Sequence, residues 1–234
     1  MKLGLNKIIL ALAISVSLFQ LTPTSVFGQA SSSPVFWATW SANSYSDPYY
    51  LGKNLPSNNS TVNVSFELIS NGKVVPLGSK EVRWYLDGQL IKKGVGLKEF
   101  SFLAGSQFGS QAVRIELQNF NDGNALVKTI LIPISQPEVV LDSPYTSKNN
   151  KVQPGEIILK ALPYFFNVTQ GGSLVWGWKI NNQSPTEFNE TPNRLTITIP
   201  KNMSGGGQIL VKARATNSIR QQEKAETMAL FTVQ

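Results

Sequence analysis

The sequence contains no histidine and no cysteine, and only 15% of its 234 residues are charged. The two missing residue types supply the usual general base at neutral pH, the commonest metal ligands, the thiolate nucleophile and the disulfide bond. Acidic residues are scattered along the chain, whereas a glycosidase needs two carboxylates facing each other across a cleft. We therefore predict that the protein is not an enzyme, has no catalytic residues, and uses no cofactor and no metal ion.

Long apolar runs are scarce, and the clearest one lies close to the N-terminus. Lys2 and Lys7 come before or beside an apolar run at residues 8–19, and small residues follow at Gly28 and Ala30. This order is typical of a secretory signal peptide, and the run is shorter than the ~20 residues of a membrane-spanning helix. We predict a signal peptide over residues 1–30, cleaved after Gly28 or, as we favour, after Ala30. The mature protein is then expected to be exported, either extracellular or associated with the cell envelope, with no membrane span.

The mature sequence also lacks a concentrated basic surface. Removing Lys2 and Lys7 from the 21 basic residues leaves 19 against 14 acidic ones, so the net charge is 19 − 14 = +5. The densest remaining basic pair is Lys92 and Lys93. Nucleic-acid-binding proteins concentrate their charge on one face or one helix. We therefore expect no nucleic-acid partner.

Helical periodicity is almost absent, and apolar and polar residues alternate with period two instead. The alternation is clearest in four segments, at residues 61–68, 111–118, 194–199 and 208–216. Turn signals separate such segments, among them Asn71-Gly72, Asp87-Gly88 and Asn181-Asn182. Asn, Asp and Gly favour tight hairpin turns because they accept positive φ. Many short strands at this spacing predict a β-sandwich or a β-barrel.

One pattern occurs twice in the mature sequence. After Trp84 come one intervening residue, an aliphatic residue, a two-residue turn and Gln89, and the same arrangement follows Trp178 and ends in Gln183. The offset of 178 − 84 = 94 residues is close to the length of one β-sandwich domain. We predict two domains, at residues 31–136 and 137–234, since Pro137 cannot donate to a strand ladder and marks the division.

Trp84, Trp178 and the segment at residues 137–144 resemble tandem immunoglobulin-like and PKD-like modules of bacterial exported and cell-surface proteins. The resemblance covers roughly residues 35–234. It implies an all-β fold of two tandem immunoglobulin-like β-sandwich domains after the signal peptide. It also implies that Trp84 and Trp178 belong to the structural core between two sheets. The sequence departs from antibody-type domains because it has no cysteine pair.

Aromatic residues crowd into residues 36–50, where Ser, Asn and Pro surround them. Amphipathic rings on a loop can stack on sugar faces or on a partner protein. The candidate ligand-binding residues are Trp37, Trp40, Tyr45, Tyr49 and Tyr50. The alternative interpretation is that the first aromatic residues form a strand and that the tyrosines pin a long loop onto the sandwich.

These observations predict a secreted or cell-envelope module that is non-catalytic and has a binding or structural role. Its expected partner is an envelope or surface protein, contacted through loops and strand edges in assembly or adhesion at the cell surface. The alternative is a carbohydrate-binding module that recognises envelope polysaccharide through the aromatic N-terminal segment.

Overall fold

The computed structural model describes residues 34–106, 109–121, 123–145, 149–185, 191–203 and 205–234. The predicted signal peptide at residues 1–30 lies outside the described residues. Fifteen β-strands are assigned in this part of the chain, together with one turn of 3-10 helix at Gly171–Ser173.

The first sandwich consists of two antiparallel sheets. In sheet I, the central strand β2 pairs on one side with β1 and on the other with β3 and β6. Sheet II has the order β5-β4-β7-β8. The strands of this sandwich are β1 (Val35–Ala42), β2 (Thr61–Ser70), β3 (Lys73–Val74), β4 (Glu81–Leu86), β5 (Gln89–Val95), β6 (Glu99–Leu103), β7 (Gly109–Asn121) and β8 (Asn124–Ile134).

The second sandwich repeats this plan. Sheet III has the order β13-β11-β9, and sheet IV has the order β10-β15-β14-β12, in which β10 runs parallel to β15. Its strands are β9 (Glu138–Asp142), β10 (Lys151–Val152), β11 (Gly155–Tyr164), β12 (Leu174–Ile180), β13 (Arg194–Ile199), β14 (Gln208–Asn217) and β15 (Lys224–Val233).

Each sandwich has its own hydrophobic core, built by the alternation seen in the sequence. Successive side chains of a strand point to opposite faces, so every second residue turns inward. The four segments singled out by their period lie in β2, β7, β13 and β14, and their inward-facing apolar residues are buried. One core contains buried residues from Val62 to Ile134, and the other contains buried residues from Val139 to Val233. The predictions for these four strands are confirmed.

The tight turns have the backbone conformation that their residues favour. Both residues of Asn71-Gly72 have positive φ, at 51° and 71°, and Asp87-Gly88 has values of 49° and 84°. Asn181-Asn182 follows β12 with φ values of 50° and 68°. Two successive residues at positive φ match the right-handed twist of the flanking strands, and this geometry closes a two-residue hairpin.

Trp84 and Trp178 occupy equivalent places in the two sandwiches. Trp84 lies on β4 and Trp178 on β12, and both side chains are buried. The Trp84 indole N–H donates to the Leu97 carbonyl at 3.0 Å, and the Trp178 indole N–H donates to the Pro192 carbonyl at 2.9 Å. The sequence repeat thus corresponds to the same hydrogen bond in both apolar cores, because a buried indole N–H needs an acceptor.

The strand order is that of an immunoglobulin-like sandwich. In that fold the first, second and fifth strands share one sheet, which faces a sheet of the third, sixth and seventh strands. Strands β1, β2 and β6 face β4, β7 and β8 in the first sandwich, and β9, β11 and β13 face β12, β14 and β15 in the second. The predicted all-β class with two tandem immunoglobulin-like sandwiches is confirmed.

Candidate functional site

The structure separates the five aromatic residues predicted to bind a ligand. Trp37 and Trp40 lie on opposite faces of β1, because residues 37 and 40 differ by an odd number along a strand. Tyr45, Tyr49 and Tyr50 lie in the connection between β1 and β2, defined here as the β1–β2 connection at residues 43–60. These five side chains therefore do not form one site.

Trp37 points away from the first core. Val, Phe, Thr and Trp favour a pleated strand, and β1 alternates between half-buried and exposed residues along its whole length. Phe36, Ala38 and Trp40 pack against the core, whereas Trp37 keeps 69% of its surface exposed. A large exposed indole on a regular strand is available to an external ligand.

Polar side chains continue the same outer face of sheet I beside Trp37. The strand register places Ser41, Asn63 and Ser101 in one row across β1, β2 and β6. The next row contains Thr39, Ser65 and Glu99, and the row after that pairs Trp37 with Glu67. We call this surface the Trp37 face, and its members are Trp37, Thr39, Ser41, Asn63, Ser65, Glu67, Glu99 and Ser101.

The Trp37 face contains a shallow concavity of about 270 Å³ over its two polar rows. Ser101 donates a hydrogen bond to Asn63 Oδ1 at 2.7 Å, which orients the amide in the concavity. Lys98 Nζ lies 2.6 Å from Glu67 Oε2, so the carboxylate next to Trp37 is paired. Trp37 lies next to the concavity on β1, about 7 Å from Thr39 along the strand, which is the spacing of two residues.

Trp40 belongs to the packing of the first sandwich. Its ring packs against the first core, and Lys53 Nζ lies 3.8 Å from the ring centroid. Burial lowers the pKa of Lys53, as expected for an ammonium group partly withdrawn from water. The cation–π contact ties the β1–β2 connection back to its own sandwich.

The β1–β2 connection also pairs with the second sandwich. Tyr45 and Phe166 exchange two backbone hydrogen bonds, of 2.7 and 3.0 Å. Asp47 N–H donates to the Pro163 carbonyl at 2.8 Å, and Ser46 Oγ accepts from Phe165 N–H at 3.2 Å. The connection therefore adds a short strand-like segment to the end of β11, beyond the stretch that pairs with β13.

Side chains strengthen this docking. The Tyr50 ring meets Tyr164 and Phe165 edge-on, with centroids 5.3 and 5.7 Å apart. Lys160 Nζ lies 3.3 Å from Asp47 Oδ2, and the Asp47 side chain is almost fully buried. Tyr45 is half-buried, and burial, followed by the nearby negative charge of Asp47, raises its pKa. Tyr45 and Tyr50 thus hold the β1–β2 connection in place, and they do so against the second sandwich.

Tyr49 differs from its neighbours because 83% of its surface is exposed. Leu51, two residues later, is completely exposed. Lys160 Nζ lies 5.3 Å from the Tyr49 ring centroid, which is a distant cation–π contact. The tip of the β1–β2 connection therefore presents Tyr49 and Leu51 outward from a firmly docked backbone.

A second polar network joins the two sandwiches at Glu223. One carboxylate oxygen accepts from Asn167 N–H at 2.7 Å and from Ser57 Oγ at 3.3 Å. The other oxygen accepts from the amide of the buried Asn217. Ser57 belongs to the β1–β2 connection, whereas Asn167 and Asn217 belong to the second sandwich, so Glu223 links both.

A cleft of about 470 Å³ opens beside this network. Its walls come from the β1–β2 connection, from residues 135–137 between the sandwiches, and from the turn before β15. The lining residues are Asn58, Asn59, Ser135, Gln136, Pro137, Arg220, Gln222, Glu223 and Lys224. Clefts between domains are frequent ligand sites.

Sequence reasoning did not identify the polar rows of the Trp37 face or the Glu223 network. Asn63 and Glu99 read as ordinary outward residues of alternating strands, and their neighbours across the sheet follow only from the register. Glu223 and Asn167 are 56 residues apart in the sequence. Outward polar residues on the strands beside an exposed Trp can indicate a binding surface, but they can be recognised only when the strand pairing is known.

The described residues contain no group of three or more acidic side chains placed to hold a metal ion. Among the same residues, no helix is both long and apolar enough to cross a membrane.

Comparisons with protein-family models and with curated protein sequences gave no match. Solved structures of tandem β-sandwich proteins did match. Fibronectin(III)-like modules of Clostridium thermocellum CbhA share 12% identity over 83% of this chain and 93% of theirs, with a TM-score of 0.28. The three N-terminal domains of the bacteriophage RB49 outer capsid protein Hoc share 12% identity over 83% of this chain and 59% of theirs, with a TM-score of 0.43.

The Yersinia pseudotuberculosis adhesin InvE shares 12% identity over 84% of this chain and 58% of its own, with a TM-score of 0.26. The chain thus spans less than two thirds of the phage and Yersinia structures. The fold assignment rests on the strand order, the register and the paired tryptophans described above. By these features the chain is a tandem of immunoglobulin-like β-sandwich modules.

Proposed function

We propose that the protein is an exported, non-catalytic binding module of the cell envelope that recognises polysaccharide on the Trp37 face. The observation that carries the proposal is the position of Trp37, 69% exposed on a regular strand beside a polar concavity. An isolated exposed apolar residue needs no explanation, but an exposed indole next to rows of hydrogen-bonding side chains has the composition of a binding surface.

The chemistry of the Trp37 face suits a sugar chain. The C–H face of a pyranose ring is apolar and stacks on a flat indole, while its hydroxyl groups project sideways. Asn63 and Glu99 offer an amide and a carboxylate, which donate to or accept from neighbouring hydroxyls. Ser and Thr hydroxyls in the same rows supply further partners in either direction. An extended chain can lie along the strands without any movement of the backbone.

Co-sedimentation of purified residues 31–234 with the insoluble envelope of the host tests this proposal. We expect binding that survives protease treatment of the envelope, and we expect Trp37→Ala to abolish most of it. Leu51→Ala is the matched control, because it also truncates an exposed apolar side chain but lies in the β1–β2 connection, outside the Trp37 face. Equal binding by wild type and Trp37→Ala would contradict the proposal.

A protein partner is the second candidate, and the edge of sheet II favours it. Sheet II ends at β8, whose backbone has no further strand beside it among the described residues. Val127 and Leu131 are exposed on the outer face of this strand. An added strand from another protein would pair with the free backbone groups of β8 and cover these side chains.

Protease treatment of the envelope separates the two candidates. Loss of binding after treatment, together with full binding by Trp37→Ala, would favour strand addition at β8. In that case Thr129→Pro, placed on β8, should reduce binding because proline breaks an added ladder.

A further inference from the structure

We infer that the cleft between the two sandwiches is a second binding site, specific for an anionic group carried by an envelope polymer. The inference does not depend on the Trp37 face, because the two surfaces share no residue. The anionic group is a carboxylate or a phosphate, which have the same hydrogen-bonding geometry toward a guanidinium.

The first argument is the balance of charge in the cleft. Arg220, Lys224 and Glu223 are the ionisable residues of its lining. The Glu223 carboxylate is engaged on both oxygens by groups of the protein itself. Hydrogen bonds from these neutral groups leave its charge in place, so the lining carries a net charge of 2 − 1 = +1, which one bound anionic group would balance.

The second argument is that Arg220 is held in place. Its backbone N–H donates to Asn217 Oδ1 at 3.1 Å, and its Nη2 donates to the Asn167 carbonyl at 3.2 Å. One terminal nitrogen of the guanidinium is thus held against the second sandwich, which limits the directions that its remaining N–H groups can take. A fixed guanidinium binds a carboxylate or phosphate without first losing side-chain entropy.

The third argument is that the walls of the cleft are fixed relative to one another. Ser135 N–H donates to the Pro56 carbonyl at 2.8 Å, and Asn167 Nδ2 donates to the Asn58 carbonyl at 3.2 Å. These bonds connect the β1–β2 connection, the link between the sandwiches and the second sandwich. The neutral amides of Asn59, Gln136 and Gln222 surround the cations and suit the hydroxyl groups of a sugar.

The experiment measures binding of the purified protein to three soluble polymers by isothermal titration calorimetry. Polygalacturonate carries carboxylates, polyphosphate carries phosphates, and dextran is neutral. We expect binding to at least one anionic polymer and not to dextran, with an affinity that falls as salt rises. Binding to only one of the two identifies the source of the anion. A protein that binds neither overturns the inference.

Variants then locate the site. Lys224→Gln removes one cation without breaking a bond of the junction, and we expect about a tenfold weaker affinity for the anionic polymer. Gln222→Trp fills the cleft without changing the charge and should weaken binding as well. Lys92→Gln removes the same charge from β5, the edge strand of sheet II opposite β8, and should have no more than a small effect. Equal losses for Lys92→Gln and Lys224→Gln, or full binding by Gln222→Trp, would contradict the assignment.

Discussion

Two tryptophans of the first sandwich occupy opposite environments on neighbouring sheets. Trp84 is fully buried, stacks on Phe100 with centroids 5.5 Å apart and meets Phe66 at 5.6 Å. Trp37 projects outward from β1. The two residues are of the same type, so the difference in their contributions to stability comes from their surroundings.

Truncation of these two side chains should therefore have very different costs. We expect Trp84→Ala to lower the free energy of unfolding by about 3–5 kcal/mol, since it removes a large buried ring and leaves a cavity. Trp37→Ala should change it by less than about 0.5 kcal/mol. Urea unfolding of both variants measures the difference. Similar losses for the two would show that Trp37 is part of the packing and not of a binding surface.

Tyr45 should give the protein a measurable sensitivity to alkali. Its pKa is raised by burial and by Asp47, so the folded state holds the phenol proton more tightly than the unfolded state. The stability from this effect is present below the unfolded pKa of about 10 and is lost as pH rises through the folded pKa. We expect the melting temperature of wild type to fall above that pH more steeply than that of Tyr45→Phe. If the melting temperatures of the two proteins fell in parallel as the pH rises, the raised pKa of Tyr45 would be contradicted.

At the scale of elements, the β1–β2 connection is the feature that departs most from a simple pair of sandwiches. Residues 45–47 pair with the end of β11, and Phe165, at the same point, has a left-handed backbone with φ of 61°. An aromatic residue in this region carries roughly 1–3 kcal/mol of strain, which the surrounding contacts must outweigh. The docking is thus a substantial interaction.

Adjacent tyrosines of this connection should respond differently to truncation. Tyr50→Ala removes the ring that contacts Tyr164 and Phe165, so we expect loss of about 2 kcal/mol or more and faster hydrogen exchange at the Phe166 amide. Tyr49→Ala should leave both unchanged, because that ring is largely exposed. Hydrogen-exchange mass spectrometry over residues 160–168 compares the two. Unchanged protection in Tyr50→Ala would mean that backbone bonds alone hold the connection.

The strands could be predicted from sequence because their information is local. Val62, Val64 and Phe66 alternate with polar residues, and such alternation specifies both the strand and its buried face. The turns at Asn71-Gly72 and Asp87-Gly88 were equally readable, since they depend on two adjacent residues. The repeat around Trp84 and Trp178 then indicated that the fold occurs twice.

The candidate site could be predicted only in part. The sequence shows the aromatic segment at residues 36–50, but the different surroundings of its members depend on contacts that are not local. Trp37 and Trp40 separate because of strand geometry, whereas Tyr45 and Tyr50 find their partners more than 100 residues later. Docking of a loop onto a distant strand leaves no periodic signal in the sequence.

At the scale of the whole molecule, Glu223 fixes one sandwich against the other. We propose that residues 31–136 and 137–234 are two domains with separate cores, joined by the β1–β2 connection and by the Glu223 network. Three donors from both sides converge on this single carboxylate.

Removing the Glu223 carboxylate should loosen the junction. We expect Glu223→Ala to lower the free energy of unfolding by about 1–3 kcal/mol, because the donors of Asn167 and Asn217 lose a buried acceptor. We also expect it to broaden the small-angle X-ray scattering profile. Glu226→Ala breaks an exposed ion pair between β15 and Arg214 on β14, and it should cost less than about 1 kcal/mol and leave the profile unchanged. Identical scattering for both variants would show that other contacts set the geometry of the junction.

The pairing of Tyr45 with Phe166 also has a consequence for how the protein reaches its final state. These residues are 166 − 45 = 121 positions apart, and contacts of such long range make folding slow. Under the export that we propose, a chain that emerges N-terminus first exposes Tyr45 and Tyr50 well before β11 appears. We expect the β1–β2 connection to be the last part to gain protection, so that a newly emerged chain is cut by proteases within residues 43–57 until the second sandwich has formed.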